Sequence, residues 1–145
     1  MFERLIESIG IESTGGDAAQ LARAETQLAA AILLFAIIPA DRQHHRDESL
    51  ALHLSLRRLF PLPEDKARKL VARAAAQYGR EPTLLAPATL LKHRLSEAFR
   101  RRILLEAEII AMADGSIHEF ERDVLSRMER LLGLIHNLTP ARESA

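Results

Sequence analysis

The chain reads as all-α: a compact single-domain helical bundle of about six or seven helices with a weak internal duplication. Three observations lead there. Apolar residues recur every three or four positions in every periodic segment but one. The longest apolar run, "LAAAILLFAIIPA" from Leu28 to Ala40, has thirteen residues where about twenty are needed to cross a bilayer, so it belongs in a core. The one segment that alternates like a strand has no second strand to pair with.

Taken in order, residues 1–16 form a short helix and linker. "MFERLIESIG" mixes acids with apolar residues and has neither the basic start nor the apolar centre of an export signal, so the cytoplasm is the expected compartment. The helical domain spans 17–136. Asp17, after "STGG", can cap a helix running to about Ile38, whose all-round apolar second half predicts a central helix. "LALHLSL", Leu50 to Leu56, alternates with period two, yet Leu52, Leu56, Leu59 and Phe60 also make a helical stripe, and helix is the reading adopted. From Pro63, suited to a first helical position, Ala67, Leu70, Val71, Ala74, Ala75 and Tyr78 keep helical spacing until Gly79 offers a left-handed stop. After a loop with Pro82 and Pro87, the series Leu91, Leu95, Phe99, Ile103 predicts one long helix reaching Met112. A last helix carries Phe120, Val124, Met128, Leu131 and Leu132 on one side and ends at Gly133; the tail 137–145 adds at most a turn. Phe35, Phe99 and Ile103 are expected among the most buried residues.

At 145 residues the chain is the size of one domain, able to bury about two-thirds of its unfolded surface. With 48% hydrophobic and 28% charged residues, and 20 basic against 20 acidic side chains, it is neither disordered by composition nor committed to DNA or anionic lipid. Nucleic acid is not an expected partner. The absence of cysteine excludes disulfides, thiolate zinc sites and thiol catalysis. No nucleophile elbow, phosphate-binding loop or dinucleotide fingerprint occurs, so catalysis is unsupported. A small helical enzyme and a nucleic-acid-binding protein stand as the alternatives to an interaction module.

A shift of 73 residues brings two helix corners into register: Ala40 and Asp41 fall on Ala113 and Asp114, His45 on His118, Glu48 on Glu121, Arg57 on Arg130 and Leu59 on Leu132. Both corners read D-x-x-x-H-x-x-E, which points to a duplicated helix pair. "EIIAMADGSIHEFERDVLSRMERLLGL" in the second half resembles the TerB-like (tellurite-resistance protein B-like) family, in which an apolar helix is followed by A-D-G, acids, another helix and L-G-L. The first half, "LAAAILLFAIIPADRQHHRDES" through "RRLFPL", is similar in layout but has Arg42 where glycine is usual, Pro61 for the later glycine, and His44 and His45 at altered positions. The resemblance covers roughly residues 20–135. It implies a compact helical fold, bacterial origin, acidic corners that bind metal, and a role in stress resistance with a protein partner rather than in catalysis.

The corner chemistry admits two readings. An EF-hand is not one of them, because position twelve counted from Asp114 is Leu125 rather than glutamate. In the structural reading Gly115 ends one helix in a left-handed conformation, while Ser116 with Glu119, or His118 with Glu121, forms a capping box. In the functional reading Asp41, His45, Glu48, Asp114, His118 and Glu121 ligate a divalent cation; zinc or manganese suits such ligands better than calcium. Asp41 and Asp114 stand out because an acid in a last helical turn opposes the helix dipole. Arg122 could also pair with these acids. Elsewhere, His44 and His45 read as solvated, and His53, His93 and His136 have no partner at useful spacing. Arg100 to Arg102 share a helix with Glu97, Glu106 and Glu108, as a solvated, partly paired face would.

Overall fold

The computed structural model describes residues 16–40, 46–113 and 115–134. Seven helices run through them, and no strand occurs among the described residues: α1 Gly16–Leu21, α2 Ala24–Ala36, α3 Arg46–Leu59, α4 Glu64–Arg80, α5 Leu85–Arg94, α6 Glu97–Ala111 and α7 Glu119–Leu131. The expected N-terminal helix, the tail and His136 lie outside these residues.

Helix α2 is central, as its composition requires. Every residue from Ala29 to Ile38 is buried, and α1, α3, α4, α5 and α6 all touch α2. Its alanines let neighbours approach closely, while Leu33, Leu34 and Ile37 fill the interior. Helix α4 packs on it and buries Ala67, Leu70 and Ala74, and Phe35 stands edge-on to Tyr78 at 6.0 Å between ring centroids. Leu50–Leu56 is helical throughout: Leu52, Leu56 and Leu59 face the core, and the alternation is completed by the exposed Leu50 and Leu54.

Several expectations need correction. The helix from Asp17 to Ile38 is broken at Ala22 and Arg23, where Arg23 is extended. The break is stabilised by side chains: Gln27 Nε2 donates to the carbonyl of Leu21 at 2.7 Å, and Thr26 Oγ1 donates to Gln20 at 3.1 Å. Asp17 bonds across the fold instead, accepting from the backbone N–H (2.9 Å) and hydroxyl (2.6 Å) of Ser96. That same Ser96 divides the predicted helix from Leu91 to Met112. Leu95 is extended, and Ser96 N-caps α6 by accepting from Phe99 N–H at 3.1 Å. Pro87 falls inside the first turn of α5, where its missing N–H costs nothing. Lastly, Gly79 continues α4 to Arg80 and is no stop.

Burial follows the 73-residue shift. Thr26 and Phe99, Ala30 and Ile103, Leu34 and Ala107, Ile37 and Ile110, Glu48 and Glu121, Leu59 and Leu132 are all buried in matching pairs. The pairing of Leu33 with Glu106 puts a carboxylate where the first half has a leucine. Of the three residues expected among the most buried, Ile103 is fully enclosed, whereas Phe35 (8% exposed) and Phe99 (6%) lie at the edge of the core, and the fully enclosed ring is Phe60, in tilted contact with Phe99 at 6.3 Å. Phe120, expected on the core side of α7, is 47% exposed, because the face this helix buries runs through Glu121, Val124 and Met128 and leaves its neighbour Phe120 outside it.

Candidate functional site: the α6–α7 corner

Helix α6 runs out at Ala111. Met112 N–H still bonds to Glu108, and Gly115, at φ 105°, returns its N–H to Met112 at 2.9 Å. A non-glycine residue would be strained at that φ, so the glycine of the A-D-G motif has a conformational cause. Helix α7 then begins after an extended His118. Glu121, three residues on, reaches back and accepts from His118 N–H through one oxygen at 2.8 Å. Of the two capping arrangements the spacing allowed, the His118–Glu121 one carries this bond.

Glu121 is 0% exposed. Its second oxygen, Oε2, is buried with no hydrogen-bond partner among the described residues. Arg122, a candidate partner for the corner acids, instead donates to the carbonyl of Ile117 at 3.0 Å. At the equivalent position of the other corner, Glu48 is the third residue of α3 and 1% exposed. Asp41, His44, His45 and Asp114 lie outside the described residues. Among the described residues no three histidines or acids are grouped so as to hold a metal ion.

A second polar constellation ties α3 to α6. Glu106, 6% exposed, accepts from Ser55 Oγ at 2.7 Å and from Arg58 through Nε at 3.0 Å and Nη2 at 2.7 Å. Burial raises the Glu106 carboxyl. The bonds from Arg58 and Ser55, with the charges of Arg58 and Arg102, outweigh that and hold it below its ordinary value. In turn the bond to Glu106 raises Arg58. This network had one readable signal, an acid inside the stripe Phe99, Ile103, Ile110; its partners, about fifty residues away, had none.

The three consecutive arginines do not form one surface. Arg100 donates to the carbonyl of Leu132, Arg101 pairs with Glu97 at 2.7 Å, and Arg102 donates to the carbonyl of Arg58 while lying over the ring of Phe99 at 4.8 Å. A phosphate-tracking stripe is therefore not built. His53 bonds its own helix at the carbonyl of Ser49. A cavity of about 280 Å³ between α2, α4 and α5 has a floor of Leu28, Ala29, Ile32, Pro87 and Leu90. The acid at its edge, Glu25, pairs with Arg94 at 2.6 Å, and that hydrogen bond and charge hold its carboxyl below the ordinary range. No helix among the described residues is long and apolar enough to cross a membrane.

No curated protein and no solved structure matches the chain. The family model described as Tellurite resistance protein TerB matches residues 27–140, from the central helix through both corners. With that match spanning most of the chain, and with the A-D-G turn and the helix following it built as described, the protein belongs to the TerB family.

Proposed function

We propose that this chain is a non-catalytic interaction module acting in regulation or stress response, in which Asp41, His45, Glu48, Asp114, His118 and Glu121 hold a divalent cation. One observation carries the reading: Glu121 is fully buried with Oε2 unpartnered among the described residues. A buried acceptor left unsatisfied costs about 1–3 kcal/mol, more when charged, and capping accounts for only the other oxygen. A cation beside it offsets that cost. The donor set of carboxylates and imidazoles suits zinc or manganese better than calcium. When bound, the ion would neutralise the corner acids and bind the corners more firmly to the bundle.

The test is a melting curve on tag-free protein stripped with a chelator and then supplied with zinc, manganese or calcium. A cation at 100 times its dissociation constant stabilises by about 2.7 kcal/mol. In a domain of this size that raises Tm by about 5–11 °C. Asp114→Asn should abolish the rise while leaving the metal-free protein equally or slightly more stable, as the sequence expectation of an acid opposing a helix dipole requires. If none of the three metals shifts the curve, the corner is a capped turn only, and Glu121→Ala then costs about 1 kcal/mol through the lost cap.

A further inference from the structure

Helix α6 is apolar on two faces. One packs into the bundle through Phe99, Ile103, Ala107 and Ile110. On the opposite side Ala98, Leu105 and Met112 recur every seven residues, with Ile109 beside them, and all are exposed. Leu105 is 54% exposed, Ile109 41% and Met112 53%. Seven residues are nearly two full turns, so these side chains form a row along the helix that the core does not use. Single exposed leucines are ordinary, but a row of them with Arg101 and Glu108 along one flank is a surface shaped for a helix.

We propose that this row is the self-association surface of the protein, with α6 of one copy lying antiparallel on α6 of a second copy about a two-fold axis that crosses at Leu105. The sequence around Leu105 is self-complementary under that operation. Ala98 and Met112 lie seven residues either side of it, so each methionine meets the alanine of the second copy, large against small. Arg101 lies four residues before Leu105 and Glu108 three after, on the same flank of the row, so each arginine comes beside the opposite glutamate. A two-fold contact requires such matching of a surface with itself. Within its own chain Glu108 faces the acid Glu129 of α7, and burial and that charge raise its carboxyl. Among the described residues no basic group pairs with Glu108. The second copy supplies one, Arg101, whose partner within the chain is the exposed Glu97. A parallel arrangement would instead carry this flank to the opposite edge of the pair, away from the matching charges. One helix row is a small interface, so the dimer is weak and dependent on concentration.

Sedimentation velocity and light scattering on the full chain in chelator, from micromolar to millimolar concentration, read this out independently of the metal proposal. The wild type should pass from monomer to dimer. Leu105→Glu should stay monomeric with an unchanged circular dichroism spectrum, the side chain being outside the core. Arg101→Glu and Glu108→Arg should each weaken association about tenfold, and the doubly reversed variant should recover it. A monomer at every concentration, a dimer that persists in Leu105→Glu, or no recovery in the double variant overturns the proposal. So does capture of a different protein's helix by a chain that never self-associates.

Discussion

Replacing Arg58 by alanine would strip the buried Glu106 of its only direct cation among the described residues. Glu106 would keep a single bond, that from Ser55 at 2.7 Å, in a site where it is 6% exposed. Breaking a fully buried pair costs about 3–5 kcal/mol. Because the Arg58 side chain is itself 46% exposed, water screens part of the interaction, and the expected cost is about 2–3 kcal/mol. That corresponds to a fall in Tm of about 4–12 °C, read by thermal and urea unfolding at neutral pH. The acid limb is diagnostic. The folded carboxyl lies below its unfolded value of about 4.3, so its stabilisation is complete above that value and is lost as pH falls through the folded one. The gap between wild type and Arg58→Ala should therefore be full at neutral pH and close below about pH 4. Glu108, whose carboxyl is raised, contributes with the opposite sign, but it is present in both proteins and cancels. Replacing the pair together, Arg58→Met with Glu106→Leu, should be near neutral or stabilising, since leucine already fills the equivalent site at Leu33. A cost for Arg58→Ala below about 0.5 kcal/mol, or a gap that does not change through the acid titration, would refute the account of this network.

Three other outcomes follow from single contacts. Ser96→Ala removes both the cap of α6 and the hydroxyl bond to Asp17, leaving only the backbone one, and urea unfolding should show a loss of about 1–2 kcal/mol; neutrality would mean the corner is set elsewhere. Phe99→Ala should cost about 3–5 kcal/mol by thermal unfolding, because the ring packs against Phe60 and a cavity replaces it. Gly115→Ala should lose about 1 kcal/mol although a Cβ there meets nothing within 4 Å, since the penalty lies in the backbone at φ 105°; a stabilised variant would show that the turn can relax.

The corner itself was readable because its bonds are local. Glu121 lies three residues from His118, and Gly115 and Gly133 each stand just past a helix end; Gly133 has φ 73° and Lys92 against its open side. Spacing of that kind survives in the sequence whatever the rest of the chain does. Glu106 was misplaced by the sequence, which set it on a solvated face with Arg100 to Arg102; it is buried, and its partners Ser55 and Arg58 come from another helix.

Hydrophobic periodicity by itself determined the helices, the central place of α2 and the second-half corner, because each depends on residues within a turn or two of one another. Only the tertiary structure decided where two long apolar patterns break. At Ala22–Arg23 and Leu95–Ser96 the apolar spacing runs on without interruption, yet the chain turns, and Asp17 and Ser96, seventy-nine residues apart, hold the two breaks together. The deciding bond is worth little until the helices it joins have packed, and so it leaves no periodic trace in the sequence.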